Sequence, residues 1–316
     1  MMLVLGLDAG GTSSRAVVAT RDGTVVGRGT AGPGNPTSAG PAAARRIGAG
    51  GARALAEHDP SAVLGGVAGI AGAGIMTDPE LTAAFDQEWA RQGLTCPVTI
   101  VGDAVTAFAA GTPASSGAVL IAGTGAVAAR IDDWRVSRTA DGLGWLLGDE
   151  GSGLWLGLQA VRSVARAWSG PTVPAGLAAA VAAQAGATNC DELVRWAGRQ
   201  QPAAFATLAP LVCAHATAGD ALAERLTTEA ATRLVATLGE LGPPDGPVVL
   251  AGSLLTNTTP VRAAVLATLA GPAATARDPA IAAAWLALRQ STDQEEAARL
   301  HHRMLRPDRE TSPVGH

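Results

Sequence analysis

The chain has 316 residues with 23 basic side chains, all of them Arg, and 27 acidic ones, which gives a net charge of −4. The absence of Lys excludes P-loop nucleotidases, protein kinases and pyridoxal enzymes, because each of these needs a Lys on phosphate or in a Schiff base. The 47% apolar fraction indicates a globular chain of about two domains. The Arg residues are scattered along the sequence, so nucleic acid is not an expected partner.

Cysteine usage and hydropathy indicate a cytoplasmic protein. Cys96, Cys190 and Cys213 are far apart and follow no metal-ligand spacing, so we expect neither disulfides nor a zinc or iron–sulfur site. No basic segment precedes the first apolar run, and the apolar stretch at 62–76 is too short and too interrupted by glycine to cross a bilayer. We therefore expect no membrane insertion.

The first third of the chain alternates between strand and helix patterns. Apolar and β-branched runs predict strands at 3–7, 15–19, 24–29, 62–70 and 97–101. Helices are predicted at 41–57 and 79–92, and a loop at 31–41. This alternation is typical of an α/β protein.

The opening pattern returns in the second third. An apolar run at 118–122 leads through Gly123-Thr124-Gly125 into a strand at 126–131, so Thr124 repeats Thr12 at a domain-sized spacing of about 110 residues. Two similar halves are therefore predicted.

The remainder is predicted to be mainly helical. The predicted elements are helices over 150–240 with a loop at 169–174, a strand at 247–251, helices at 261–269 and 279–290, an amphipathic segment at 295–305 and a frayed tail after Pro307. We place the domains at 1–113 and 114–291, followed by a C-terminal helix and tail at 292–316.

Two glycine loops are candidates for phosphate binding. In the first, Gly10 and Gly11 permit unusual φ/ψ values and a close approach of the backbone to phosphate, while Thr12 and Ser13 add hydroxyl donors. Taken alone, this loop also fits an ordinary hairpin turn. The loop at Thr124 occupies the equivalent place in the second half, and two opposed loops can grip a polyphosphate from both sides.

Two aspartates are candidates for the chemistry itself. Without Lys, the phosphate charge must be offset by backbone N–H groups, hydroxyls and a divalent cation, so Asp8 is predicted to bind Mg²⁺, with turn capping as its alternative role. Asp103 follows a buried strand, where α/β sheets place their ligands, and is a candidate general base. Its alternative role is to cap a helix beginning at Ala104.

Three further segments are compatible with ligand binding. The glycine-rich segment 142–153 either presents Asp149 to sugar hydroxyls beside an apolar wall at Trp145, or is a structural turn with Asp149 as N-cap. Asn35 precedes a Pro and either binds a polar ligand or forms a turn. Gly252-Ser253 follows a strand and is compatible with a platform for a nucleotide base, although the dipeptide is common.

Six segments in order resemble the N-acetylglucosamine kinases of the BadF/BadG/BcrA/BcrD-type ATPase group, which belongs to the actin-like sugar-kinase superfamily. They are LGLDAGGTSSRAVV, GPGNP, VGDAVTAF, LIAGTGAVAARI, GWLLGDEGSG and VVLAGS. The resemblance implies two ribonuclease-H-like domains with an interdomain cleft and helical insertions in the second half. It also implies ATP-dependent phosphorylation of an amino sugar, with N-acetylglucosamine converted to its 6-phosphate, and a homodimer.

The resemblance also implies a role for particular residues. Those at ATP are Gly10, Gly11, Thr12, Ser13 and Thr124, with Gly252 and Ser253 at the adenosine; the place of Asp8 at ATP and Mg²⁺ rests on the need to offset the phosphate charge. Asp103 is the catalytic residue. At the sugar the resemblance implies Asn35 and Asp149, and we also place Asp103, Gly125, Gly144 and Trp145 there.

Departures from the family pattern leave the substrate open. Ala126-Val127 stands where the animal members have Ser-Asn, and Trp145 stands where they have His. Loss of polar contacts can change discrimination between sugars strongly, so glucosamine or another amino sugar is the alternative acceptor.

Two other classes of protein are considered beside a kinase. An ATPase activator needs a Cys-ligated cluster that no Cys pair here can supply, and a non-catalytic sugar sensor needs an output element upstream of the first strand.

Overall fold

A computed structural model describes residues 2–72, 74, 78–170, 174–243 and 245–306, except for the side chain of residue 38. The chain forms two compact units. The first comprises the described residues up to Ala114 and those from Ala276 onward, and the second is Ser115–Thr275. Parts of the apolar stretch at 62–76 and of the predicted loop at 169–174, and the tail after Pro307, lie outside the described residues.

The first unit is built on a five-stranded sheet. Its strands are β1 (Leu3–Ala9), β2 (Ser14–Thr20), β3 (Val25–Ala31), β4 (Val63–Ile70) and β5 (Val98–Gly102). Its helices up to this point are α1 (Pro36–Ala39), α2 (Ala42–Ala54), α3 (Pro79–Arg91) and α4 (Asp103–Ala109). The strand order is β3-β2-β1-β4-β5, with β1, β4 and β5 parallel and β2 antiparallel to both of its neighbours. The carboxyl ends of β1, β4 and β5 therefore share one edge of the sheet.

The second unit repeats this topology. Its strands are β6 (Gly117–Ala122), β7 (Ala126–Asp132), β8 (Arg135–Asp141), β9 (Val248–Ala251) and β10 (Ala273–Thr275). Its helices are α5 (Gly153–Ser169), α6 (Leu177–Ala185), α7 (Cys190–Ala197), α8 (Pro202–Ala206), α9 (Ala209–Thr217), α10 (Ala221–Glu240), α11 (Ser253–Thr256) and α12 (Pro260–Thr268). The order β10-β9-β6-β7-β8 matches the first sheet strand for strand, so the predicted repeat is confirmed.

Two last helices, α13 (Pro279–Leu288) and α14 (Gln294–Met304), belong to the first unit, whereas the sequence analysis assigned residues up to 291 to the second domain. The reason is a backbone contact between α13 and β1. A Cβ atom on Gly6 would lie 2.2 Å from the Ala280 carbonyl oxygen and 2.3 Å from the Ala284 nitrogen, so only glycine permits this approach. The contact joins residues at opposite ends of the chain, and no local pattern reports it.

Local signals account for where several helices begin. The side chains of Asp78 and Asp278 cap α3 and α13. A Pro occupies the first turn of each helix, where its missing N–H would have no partner within the helix.

Within the described ranges no single helix is long and apolar enough to cross a membrane, and the one pair that meets the requirement together, 202–217 with 221–240, is bent by 116°.

Candidate active site

Two carboxylates lie at the edge of the first sheet where the parallel strands end. Asp8 is the penultimate residue of β1, and Asp103 directly follows β5. The hydroxyl oxygen of the buried Thr106 lies 3.3 Å from Oδ1 of Asp8 and 3.0 Å from the main-chain carbonyl oxygen of Asp103. A Cβ on Gly69 would lie 2.2 Å from that hydroxyl, so glycine in β4 makes room for Thr106.

The carboxyl groups of Asp8 and Asp103 both have pKa values above the ordinary value for Asp. Burial raises the pKa of Asp8 to about 7; the carboxylates of Asp103 and Asp278 also raise it, while Arg15 and the Thr106 hydroxyl oppose the shift. Burial also raises the pKa of Asp103, against the backbone N–H groups of Ala104 and of Asp103 itself. A carboxyl group with a raised pKa is a stronger proton acceptor, which is the property that a general base needs.

The structure bears differently on the alternative capping roles of these two residues, because the carboxyl group of Asp103 lies beside the first N–H groups of α4 whereas, among the described residues, that of Asp8 caps no turn. The N-cap of α4 is Gly102, and Asp103 is the first helical residue. Within the described ranges, the Asp8 side chain hydrogen-bonds to Thr106 and to no N–H of the glycine turn.

The first glycine loop is open on its outer side. Gly11, Thr12 and Ser13 are exposed, and Gly10 donates its N–H to the Ser13 carbonyl at 3.0 Å. Neither Gly10 nor Gly11 has a positive φ, so the loop does not use the left-handed conformation that glycine permits. A Cβ on Gly11 would meet no protein atom within 4 Å. The contacts of the folded chain therefore do not require glycine at position 11, and the space beside it is available to a ligand.

Asn35 is the N-cap of α1. Its Oδ1 accepts a hydrogen bond from the Thr37 N–H at 2.8 Å, which corresponds to the turn-forming role considered for it. The predicted role of Asn35 at the sugar stays a prediction.

In the second unit the structure brings together three of the predicted segments. A Cβ on Gly123 would lie 3.9 Å from the Ser253 nitrogen, so the second glycine loop is next to Gly252-Ser253. Gly252 has φ 81°, and a Cβ there would lie 2.3 Å from the Ala122 carbonyl oxygen, so this position requires glycine. The first turn of α5 also contacts the second glycine loop, because the Gly153 N–H donates a hydrogen bond to the Gly123 carbonyl oxygen at 2.8 Å.

Asp149 contacts the same loop. Its Oδ1 accepts the Ala126 N–H at 3.0 Å, and a Cβ on Gly125 would lie 2.6 Å from that oxygen. Burial raises the pKa of Asp149, and the neighbouring Asp141 carboxylate also raises it, against the Ala126 N–H. The N-cap of α5 is Ser152, so the capping role considered for Asp149 was wrong.

Gly144 and Trp145 lie in an exposed loop between β8 and Asp149. Gly144 has φ 79° and its carbonyl accepts the N–H groups of Leu147 and Gly148 at 3.1 and 2.8 Å, which forms a tight turn. Trp145 is 44% exposed, and its neighbours Leu146 and Leu147 are more exposed still. These side chains form an apolar surface next to Asp149 in the chain.

Sequence reasoning missed Thr106 and Arg15, which act on Asp8, and Asp141, which acts on Asp149. Thr106 was accessible to it, because residues three apart on a helix share a face and Asp103 was already a candidate. Asp141 gave no signal, because its role depends on a positive φ of 60° that a non-glycine residue seldom adopts.

The residues present fit a magnesium ion that arrives with nucleotide. Across the described residues no group of three or more His, Cys, Asp or Glu side chains is placed to hold a metal. Mg²⁺ needs only one or two protein carboxylates when phosphate oxygens and waters complete its shell. Asp8 offers one such carboxylate at the carboxyl end of β1, and a bound cation would favour its ionised form against the burial that raises its pKa.

The fold is that of the two-domain sugar kinases and ATPases of the actin-like class, as the sequence predicted. A candidate N-acetylglucosamine kinase from Chromobacterium violaceum superposes with a TM-score of 0.73 at 26% identity, over 92% of this chain and 99% of that one. A second candidate N-acetylglucosamine kinase, from Porphyromonas gingivalis, gives 0.68 at 22% identity over 90% and 97%. A ROK family glucokinase from Streptomyces griseus, solved with glucose and AMPPNP, gives 0.57 at 20% identity over 91% and 99%.

The chain belongs to the BadF/BadG/BcrA/BcrD ATPase family, whose sequence model matches residues 5–285. It is also 27% identical over 246 residues to the N-acetyl-D-glucosamine kinase of Dictyostelium discoideum, a match that covers 73% of this chain and 76% of that protein.

Proposed function

We propose that this protein is a kinase that transfers the γ-phosphoryl group of ATP, with Mg²⁺, to N-acetylglucosamine, at its 6-hydroxyl. The observation that carries the proposal is the pair of buried carboxyl groups of Asp8 and Asp103 at the carboxyl ends of parallel strands, both with raised pKa values. The names of the D. discoideum and C. violaceum relatives support the choice of sugar.

In this mechanism Asp103 accepts the proton of the sugar hydroxyl as the O–H bond breaks. The oxygen forms a bond to the γ-phosphorus, and the bond from that phosphorus to the ADP oxygen breaks. Phosphoryl transfer depends mainly on positioning and on charge stabilisation, which bound Mg²⁺ supplies by neutralising phosphate oxygens. Asp8 would hold that ion.

The remaining predicted residues hold the reactants. The first loop, Gly10 to Ser13, and Thr124 present N–H and hydroxyl groups to the phosphates, and Gly252-Ser253 lies at the adenosine. Asn35, Asp149, Gly125, Gly144 and Trp145 contact the sugar. The three free cysteines suit a reducing cytoplasm, and we also propose a homodimer, which light scattering will test.

The proposal is tested by ADP release with and without sugar. N-acetylglucosamine should stimulate ADP release, and Asp103→Asn should lower kcat by about three orders of magnitude or more, because an amide cannot accept the proton. Sugar binding to the variant, measured by calorimetry, should persist.

The same assay with a panel of amino sugars distinguishes the possible acceptor sugars, and it distinguishes a kinase from an ATPase activator and from a sugar sensor. Stronger stimulation by glucosamine or another amino sugar would replace N-acetylglucosamine as the substrate. ATP hydrolysis that no sugar changes would indicate an ATPase activator, and sugar binding without any ADP release would indicate a sensor.

A further inference from the structure

Asp141 closes a loop that ends at the proposed sugar-binding residue. Its Oδ1 accepts the Asp149 N–H at 2.7 Å, and its Oδ2 accepts the Glu150 N–H at 2.8 Å. A weaker contact of 3.5 Å joins its Oδ1 to the Leu143 N–H. One carboxylate at the end of β8 thus receives N–H groups from both ends of the segment 142–150.

The backbone of this segment depends on that carboxylate. Asp141 and Asp149 have φ values of 60° and 58°, in the left-handed region that non-glycine residues seldom occupy. A Cβ on Gly148 would lie 2.0 Å from Oδ1 of Asp141, so the chain passes against the carboxylate with no room for a side chain. Such a conformation persists only where the surrounding contacts hold it.

Both flanks of the segment are anchored independently. On one side, β8 pairs with β7 as far as Asp141. On the other, Glu150 forms an ion pair with Arg233 of α10, and a Cβ on Gly151 would lie 2.5 Å from the Ala230 carbonyl oxygen. Asp149 lies between these anchors, and its own carboxylate reaches the Ala126 N–H of the second glycine loop.

We propose that Asp141 is a positioning residue, whose carboxylate joins the ends of the 142–148 loop and thereby fixes Asp149 for sugar binding. Only the role of Asp149 in sugar binding rests on the proposed function. Charge-assisted hydrogen bonds to two successive backbone N–H groups fix the direction of the Asp149 side chain. The proton acceptor Asp103 and the ATP residues are outside this set, so the effect belongs to sugar binding.

The test uses Asp141→Gly. Glycine adopts φ 60° without strain, so this variant removes the carboxylate while leaving the backbone conformation accessible. The matched control is Asp133→Gly, in the turn between β7 and β8, where φ is 45° and, among the described residues, the side chain accepts no hydrogen bond.

Loss of two hydrogen bonds to a charged group should raise the KM for sugar by about tenfold or more in Asp141→Gly, with the KM for ATP changing less than about twofold. Asp141→Asn keeps one acceptor oxygen and should fall between this variant and the wild type. Asp133→Gly should match the wild type. An equal rise in both KM values, or an unchanged KM for sugar, would overturn the assignment.

A second readout does not depend on catalysis. Hydrogen–deuterium exchange on the protein without ligands should show the Asp149 and Glu150 amides protected in the wild type and in Asp133→Gly, and exchanging about tenfold faster or more in Asp141→Gly. Equal protection in Asp141→Gly would overturn the proposal even if the enzyme proves to be a kinase. If no sugar stimulates ADP release, the proposed function fails while the exchange result still decides whether Asp141 positions Asp149.

Discussion

Among single residues, Asp8 shows how burial and neighbouring charge change the behaviour of a carboxyl group. Its pKa in the folded protein is about 7, against an ordinary value of 3.8, because burial and the nearby carboxylates disfavour the charged form. Between these two pH values the folded state keeps a proton that the unfolded state has released. The contribution of Asp8 to the free energy of unfolding therefore falls as the pH rises from about 4 to about 7.

Asp8→Asn removes this pH dependence. Without nucleotide or metal, the variant should be more stable than the wild type by about 1–3 kcal/mol at pH 8, with the gain disappearing toward pH 4, because the amide never ionises. Urea unfolding in the presence of EDTA across this pH range measures the difference. Asp86→Asn, at an exposed position on α3, is the control. A difference between Asp8→Asn and the wild type that stays constant with pH would contradict the prediction.

Gly125 sets the position of the Asp149 carboxylate. In Gly125→Ala the new Cβ would lie 2.6 Å from Oδ1 of Asp149, so that oxygen must move away from the Ala126 N–H. We expect the KM for sugar to rise by about tenfold, the effect of losing one charge-assisted hydrogen bond. Gly123→Ala, whose Cβ would come no closer than 3.9 Å to a protein atom, should leave that KM near the wild-type value. Equal KM values for sugar in the two variants would show that Asp149 does not depend on Gly125.

At the scale of elements, the backbone of α13 approaches the first sheet directly at Gly6. The close approach at Gly6 places Ala280 and Ala284, one turn apart, against β1. Interiors are packed too tightly to admit an extra methyl group at such a point without backbone movement.

Gly6→Ala should therefore destabilise the protein by at least about 2 kcal/mol, measured by chemical unfolding. Gly65→Ala, in the neighbouring strand β4, is the matched control, because its Cβ would lie 4.0 Å from the nearest atom. That variant should change the free energy of unfolding by less than about 0.5 kcal/mol. If Gly6→Ala proves as stable as the control, α13 does not approach β1 this closely.

The elements that sequence predicted best are those with a strong local signal. β1, β4 and β5 are continuous apolar runs, and the repeat of the glycine turn predicted that the second sheet would copy the first. β8 was missed, because five of its seven residues are exposed and it shows no apolar alternation. β10 has three residues, too few for a pattern, and the placement of α13 depends on contacts between distant parts of the chain.

For the candidate site, the sequence predicted individual carboxylates but not the hydrogen bonds that hold them in place. Asp8 and Asp103 follow strands, which a sequence pattern can show. The bond from Thr106 to Asp8 spans 98 residues, and the bonds from Asp141 form around two aspartates with positive φ. Both arise from tertiary structure, so local propensity could not predict them.

Across the whole molecule, the absence of Lys makes any introduced Lys a unique chemical probe. If phosphates are held by N–H groups, hydroxyls and a metal, acetylation of amines should leave the wild-type kcat and KM for ATP unchanged within about twofold, because only the terminal amine can react. The wild type is therefore the unreactive background against which an introduced Lys is measured.

Arg15 is the position at which such a probe is most informative. Its charge acts on Asp8, and it follows the first glycine loop in β2, so we expect it to contribute charge near the phosphates. Arg15→Lys should retain activity and then lose about tenfold in kcat/KM for ATP on acetylation, since a charged hydrogen bond is removed, and MgATP should slow the loss. Arg21→Lys, just beyond the other end of β2, should be insensitive to acetylation. If both variants lose activity equally, or if neither does, Arg15 has no particular role at the phosphates.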